Sequence, residues 1–207
     1  MTNLTRSGKA ALWRRASVYI LRCWMLTCLT LAATTCQQQT TPQNRPGNVV
    51  VLRNSNTVVV VGKQMKALAP DGSVLWTVSL PEEVIAPLAS APNSNVFARS
   101  QSALYAVNHA GKLQWSAELP APSSALSYEA LAPAALADSS AVVLVSTREM
   151  RNIAANGSKR WTAHLPVEAT QSPVLACPNG QTVVRAGGKI FGVSPDGKLL
   201  WESSTTQ

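Results

Sequence analysis

Between residues 76 and 80 apolar and polar side chains alternate. Trp76, Val78 and Leu80 fall on one face of an extended chain, Thr77 and Ser79 on the other. A period of two marks a half-buried β-strand. The pattern returns at Trp115, Ala117 and Leu119, and again at Trp161, Ala163 and Leu165. Three short apolar runs precede each such strand: "NVVVLR", "TVVVVG" and "MKALA"; "IAPLASA", "NVFARS" and "ALYAVN"; "ALAPAALA", "AVVLVST" and "MRNIAA". A fourth set, "SPVLAC", "QTVVRAG" and "KIFGVS", precedes Trp201. No window carries a 3.6-residue period, which excludes a helical solenoid.

Trp76, Trp115, Trp161 and Trp201 are 39, 46 and 40 residues apart. Four positions before each stands a glycine: Gly72, Gly111, Gly157 and Gly197. Four positions after the first three come Leu80-Pro81, Leu119-Pro120 and Leu165-Pro166. The tripeptides "PDG", "HAG", "ANG" and "PDG" are turn chemistry, with glycine supplying the positive φ of a tight hairpin. Proline ends the strand because it cannot donate to a ladder. Residues 48–207 therefore read as four units of four short strands, about 40 residues each. One four-stranded sheet cannot bury both faces, whereas sheets stacked around an axis can. The expected fold is all-β: a β-propeller of four-stranded antiparallel blades in a small or incomplete ring. Each tryptophan is expected to wedge between neighbouring blades, contributing a few kcal/mol by burial.

Residues 1–36 have a different order. Arg6, Lys9, Arg14, Arg15 and Arg22 precede an 11-residue apolar stretch from Cys23 to Ala33, which small residues and Cys36 follow. This is the layout of a secretory signal, too short for a comfortable membrane span. A retained anchor is the alternative, though Arg22 interrupts any longer apolar run. Residues 37–47 are a polar linker. A cysteine after small residues and before such a linker resembles the lipobox of bacterial lipoproteins. That likeness implies a lipid on Cys36 and a protein anchored in the bacterial envelope, facing the periplasm or the cell surface; simple secretion is the alternative. The family favours Leu three places before the cysteine and Gly, Ala or Ser just before it, where this chain has Ala33 and Thr35.

Charge and cysteine then narrow the picture. The formal net charge is +8, from 18 basic and 10 acidic residues, but five of the basic residues belong to the N-terminal segment. From Gln37 onward the balance is 13 against 10 with no basic stripe, so nucleic acid is not an expected partner. Cys23, Cys28 and Cys36 lie in the signal region, leaving Cys177 alone in the body. No intrachain disulfide can then brace the fold. Cys177, after Val174, Leu175 and Ala176, reads as a small buried apolar residue.

Candidate chemistry is sparse. His109 and His164 fall at variable positions of the unit, a turn and an outward strand position, with no metal-ligand neighbour at useful spacing. Asp71 and Asp196 occupy equivalent places in "PDG", which turn chemistry explains. Glu82 and Glu83 follow a strand-ending proline and read as a solvated loop. Gly187-Gly188 reads as a hairpin turn. The segment "PAPSSALSYEA" (Pro120–Ala130) holds the extra residues of the longest interval and a Tyr128 expected to be exposed, making it a candidate contact surface. No catalytic residue, metal site or cofactor is expected.

The stretches "LYAVNHAGKLQWSAEL" (Leu104–Leu119) and "KIFGVSPDGKLLWES" (Lys189–Ser203) resemble the pyrroloquinoline-quinone-type propeller repeat, roughly Ala-x-Asp-x-x-x-Gly-x-x-x-Trp. The resemblance covers about residues 48–204. With the lipobox-like signal, it is similar in kind to the propeller lipoproteins of the outer-membrane β-barrel assembly machinery. It implies a non-catalytic scaffold that docks another envelope protein, such as a component of that machinery, through loops or blade edges. The alternative is a propeller that binds or senses a small molecule, a sugar or a quinone, at its central mouth. Quinone dehydrogenases share the repeat but need a full ring with cofactor and calcium, which four units do not supply. Rings of this family have about eight blades; this chain has four units. Three arrangements are compatible with that: a closed four-blade ring, a half-ring that self-associates with another copy, or a shortened relative of a longer chain. The fourth unit lacks the Leu-Pro stop and no spare strand is available as a latch, which favours an incomplete ring with end blades in need of a partner.

Overall fold

The computed structural model describes residues 48–205; Cys36, the signal segment and the polar linker lie outside the described residues. Sixteen strands form four antiparallel sheets, and no helix occurs among the described residues. The first blade is β1 (Val49–Val51), β2 (Thr57–Val61), β3 (Gln64–Leu68) and β4 (Val74–Ser79). The second is β5 (Ala89–Ser90), β6 (Val96–Arg99), β7 (Ala103–Val107) and β8 (Leu113–Glu118). The third is β9 (Ala134–Ala135), β10 (Ala141–Ser146), β11 (Glu149–Ile153) and β12 (Lys159–His164). The fourth is β13 (Leu175–Ala176), β14 (Thr182–Ala186), β15 (Lys189–Val193) and β16 (Leu199–Ser204). Every sheet is a simple meander with its strands in chain order.

The four blades share details beyond strand count. Each has a β-bulge between its third and fourth strands, at Ala67/Leu68, Ala106/Val107, Asn152/Ile153 and Gly192/Val193. The register leaves Leu75, Gln114, Arg160 and Leu200 as the extra residue, just before each tryptophan. A bulge sharpens the twist of the outer strand and leaves one residue without a cross-strand mate. The turn between first and second strands also repeats. Asn54, Asn93, Asp138 and Asn179 accept a bond from the backbone N–H two residues on. The intervening residue is left-handed each time: Ser55 (φ 66°), Ser94 (φ 63°), Ser139 (φ 62°) and Gly180 (φ 81°).

The core lies between blades, in three seams. In the first, Val58, Val60, Met65 and Ala67 meet Val96, Ala98, Tyr105 and Val107 of the second blade. In the next, Phe97, Leu104, Ala106 and Ala117 meet Ala141, Val143, Val145 and Ile153. In the last, Val142, Leu144, Met150 and Ala163 meet Val184, Ala186, Phe191 and Val193. Period-two geometry explains why alternate residues of one strand serve different seams. β6 and β7 are buried throughout, and β10 in all but its last residue, because their blades are covered on both faces. β2 and β14 alternate in burial, because the first and fourth blades are covered on one. No apolar cluster and no hydrogen bond joins the fourth sheet to the first among the described residues, so the ring is not closed.

Candidate functional site

The repeated feature of the fold is the junction at which one blade's outer strand meets the next blade's turn. Trp76 donates its indole N–H to the His109 carbonyl at 2.8 Å, Trp115 to Ala155 at 2.8 Å and Trp161 to Pro195 at 2.8 Å. The glycine of the receiving turn seats the ring. A Cβ on Gly111 would stand 2.7 Å from Cδ2 of Trp76, one on Gly157 2.8 Å from Cγ of Trp115, and one on Gly197 2.7 Å from Cδ2 of Trp161. Each Gly–Trp contact is therefore made between blades, although the sequence presents glycine and tryptophan as neighbours within one unit. Phe97 adds a tilted ring contact to Trp115 at 5.7 Å.

Trp201 departs from the expectation of a wedge at every unit. Among the described residues no blade packs against it; it is 42 % exposed, and its ring lies over Gly192 of its own sheet. Gly72, the seat at the other end, has nothing within 4 Å of a Cβ position. Turn chemistry accounts for the aspartates: the Asp71 carboxylate accepts from the Ser73 backbone N–H at 2.9 Å and from its hydroxyl at 2.7 Å. The Ser73 hydroxyl holds Asp71 below the usual carboxylate range. Ser194 donates to Asp196 in the equivalent turn and holds it low in the same way. His109 and His164 are exposed, one in a turn and one on an outer strand, as the pattern predicts. Gly187 and Gly188 form the tip of the β14–β15 hairpin.

Three further expectations are corrected. Tyr128 is half-buried, and its hydroxyl donates to Oδ1 of Asn48 in the first unit. The surrounding segment is tied down: Ser127 N–H donates to Thr170 O at 2.7 Å, and Leu126, Ala130 and Leu131 are buried against the third and fourth blades. The added length lets this connection reach Asn48, Thr170 and Gln171 and bury apolar side chains against the later blades. Glu82 is half-buried rather than a free loop residue, since it accepts from the hydroxyl and the backbone N–H of Ser102 in the next blade. Cys177 is half-exposed, because the short β13 ends before it and leaves it in a turn.

That turn opens on the axial cleft, about 420 Å³, where the first turns of all four blades converge. Leu52, Ala91, Leu136 and Cys177 stand at equivalent places around it. Arg53 is its charged side chain; Ser90 and Cys177 add a hydroxyl and a thiol. A second cleft of about 310 Å³, lined by Glu168, Gln171 and Arg185 among others, lies beside the β14–β15 hairpin. No group of three or more His, Cys, Asp or Glu able to hold a metal occurs among the described residues, nor does any helix long and apolar enough to cross a membrane.

The sequence reading missed Arg99. It is 0 % exposed in the seam between the second and third blades. One guanidinium nitrogen donates to the Leu144 carbonyl, while Nε and Nη2 have no partner. Desolvation pushes its pKa down to about 10. Its place in the blade register is that of Val60 and Leu144, so the pattern offered no signal beyond an odd residue at an apolar position.

A sequence profile described as outer membrane protein assembly factor BamB matches residues 62–207. No curated protein matches the chain. Among solved structures, a Bacteroides caccae protein of unknown function is 16% identical with a TM-score of 0.53, aligned over 76% of this chain and 60% of its own. Virginiamycin B lyase from Staphylococcus aureus is 13% identical with a TM-score of 0.61, over 79% and 58%. BamB from Moraxella catarrhalis is 14% identical with a TM-score of 0.56, over 75% and 49%. At these identities the likeness is one of fold. The chain spans about half to three fifths of the length of these structures.

Proposed function

Since this chain belongs to the outer membrane protein assembly factor BamB family, we propose that it is a non-catalytic docking protein of the bacterial cell envelope. Its partner is another envelope protein, of the outer-membrane assembly machinery by family likeness. The observation that carries this reading is the outer rim. β4, β8 and β16 are sheet edges without a neighbouring strand, and they open with exposed apolar side chains: Val74 and Leu75, Leu113, and Leu199 and Leu200. Leu75 and Leu200 are the bulged residues, unmated within their own sheets. A free edge beside apolar side chains suits an extended segment of a partner, with backbone bonds giving affinity and side chains giving selectivity.

The axial cleft favours the same reading over a small-molecule binder. Recognition of a sugar or a quinone draws on several placed polar groups, whereas the cleft's four equivalent positions offer two leucines, an alanine and a thiol. Anchoring at Cys36 belongs to this proposal as well; palmitate labelling that Cys36→Ala abolishes supports it, and labelling that persists in that variant refutes it.

The test of docking is affinity purification from native membranes followed by mass spectrometry. The reading predicts recovery of outer-membrane assembly components, and their loss in a Leu199→Lys/Leu200→Lys variant of unchanged circular dichroism. Recovery of no envelope partner at normal expression contradicts it. Turnover of a sugar or quinone substrate by the purified chain contradicts the non-catalytic part.

A further inference from the structure

Among the described residues two blade faces stay uncovered, and they match as the two halves of one further seam. In each internal seam the earlier blade presents a tryptophan on its forward face, and the later blade presents a glycine turn and a row of apolar side chains. The fourth blade presents such a forward face: Leu175, Val183 and Trp201 are cross-strand partners of one another through Gly192, and Ile190 lies on the same side. Arg185 stands there in the place that Arg99 holds in the second blade, where the guanidinium crosses to the Leu144 carbonyl of the next blade. The first blade presents a receiving face: Val49, Val51, Val59 and Val61 share one side of the sheet, with the Pro70–Gly72 turn beside them. Val51 is 62 % exposed and Val49 53 %. β2 is "TVVVV", apolar on both faces like the fully buried strands of the middle blades, although only one of its faces is covered. Among the described residues the indole N–H of Trp201 has no acceptor and Gly72 is a seat without a ring.

We infer that the occupant of both faces is a second copy of this chain, so that two four-blade arcs close one ring through two identical seams. The fourth blade of one copy packs on the first blade of the other, with Trp201 donating to the Pro70 carbonyl and its ring seated on Gly72. Two copies are the fewest that cover both faces without bending the arc back on itself. A two-fold axis satisfies both faces of both copies at once, whereas an open head-to-tail contact would run on into a fibre. This goes beyond docking to an envelope protein, which uses the outer rim and stands or falls by a different measurement.

Sedimentation equilibrium of the full chain in mild detergent tests the pairing. The expected mass is twice the 22.0 kDa of the chain. Trp201→Asp and Gly72→Ala alter opposite faces, both outside the internal seams, and each should raise the dissociation constant at least about 100-fold while leaving circular dichroism unchanged. A photo-crosslinker at position 201, in a mixture of ¹⁵N-labelled and unlabelled chains, should join label to non-label at residues 70–72. A single 22.0 kDa species at tens of micromolar overturns the inference. So does a crosslink confined within one chain, which would mean a closed four-blade ring, and so does a pair that survives both substitutions.

Discussion

Gly111 holds two roles that the sequence presents as one. Its φ of 78° is costly for any side chain, and its missing Cβ leaves room for Trp76. Gly111→Ala should cost about 3 kcal/mol in urea denaturation, from left-handed strain plus a displaced ring. Gly72→Ala meets the strain alone and should lower the stability of the fold by about 1 kcal/mol. Arg99 runs the other way. A cation whose pKa falls on folding is a cost that is fully present below about pH 10 and fades as pH rises through that value. Arg99→Leu copies the residue that Leu144 provides at the same place and should raise stability by about 1–3 kcal/mol at pH 7. A loss would mean that the lone bond to Leu144 outweighs burial of the charge. Cys177 should react with a disulfide reagent in the native state, since its turn opens on the axial cleft; protection until unfolding would contradict that placement. Glycine was legible as a turn former because a tight hairpin needs a particular backbone. Its service to the preceding blade was not, because no local pattern records what packs across a seam.

Strands and their order were legible because each covered face imposes a period of two, and turn residues punctuate it. The bulges were not, since an inserted residue leaves the outer strand looking like any alternating run. The inner turns were half legible. Asn54, Asn93 and Asn179 advertise a turn, but the left-handed serines at 55, 94 and 139 sit where glycine stands only at 180. Asp138, in the third of these turns, carries a pH dependence. Burial raises its pKa, but hydrogen bonds from Ser140 and Arg160 outweigh this and bring it to about 2. The folded state therefore favours the carboxylate. Its contribution is present above the unfolded value of 3.8 and is lost as pH falls through about 2. Asp138→Asn should destabilise at pH 6 and by much less near pH 2 in parallel denaturant titrations. An equal gap at both pH values would show that the carboxylate's charge is irrelevant. The connection from Pro120 to Ala130 misled because composition cannot separate a loop that reaches solvent from one that packs back on the blades, and Tyr128 reads the same in both.

The described part of the molecule, residues 48–205, is a row of sheets joined by one repeated seam. Its middle blades are apolar on both faces and its end blades expose the faces that a further blade would cover. The sequence announced four units, but whether their ring closes depends on the angle between blades, which bulge and seam set together. The claim beneath this account is that tryptophan from one blade and glycine from the next form each junction. A double-mutant cycle on Trp76 and Gly111 measures it most directly. If the ring rests on that glycine, Gly111→Ala should cost about 3 kcal/mol in the parent but only about 1 kcal/mol once Trp76→Ala has removed the ring, a coupling of about 2 kcal/mol. Costs that simply add would place the two residues in separate environments and contradict the seam.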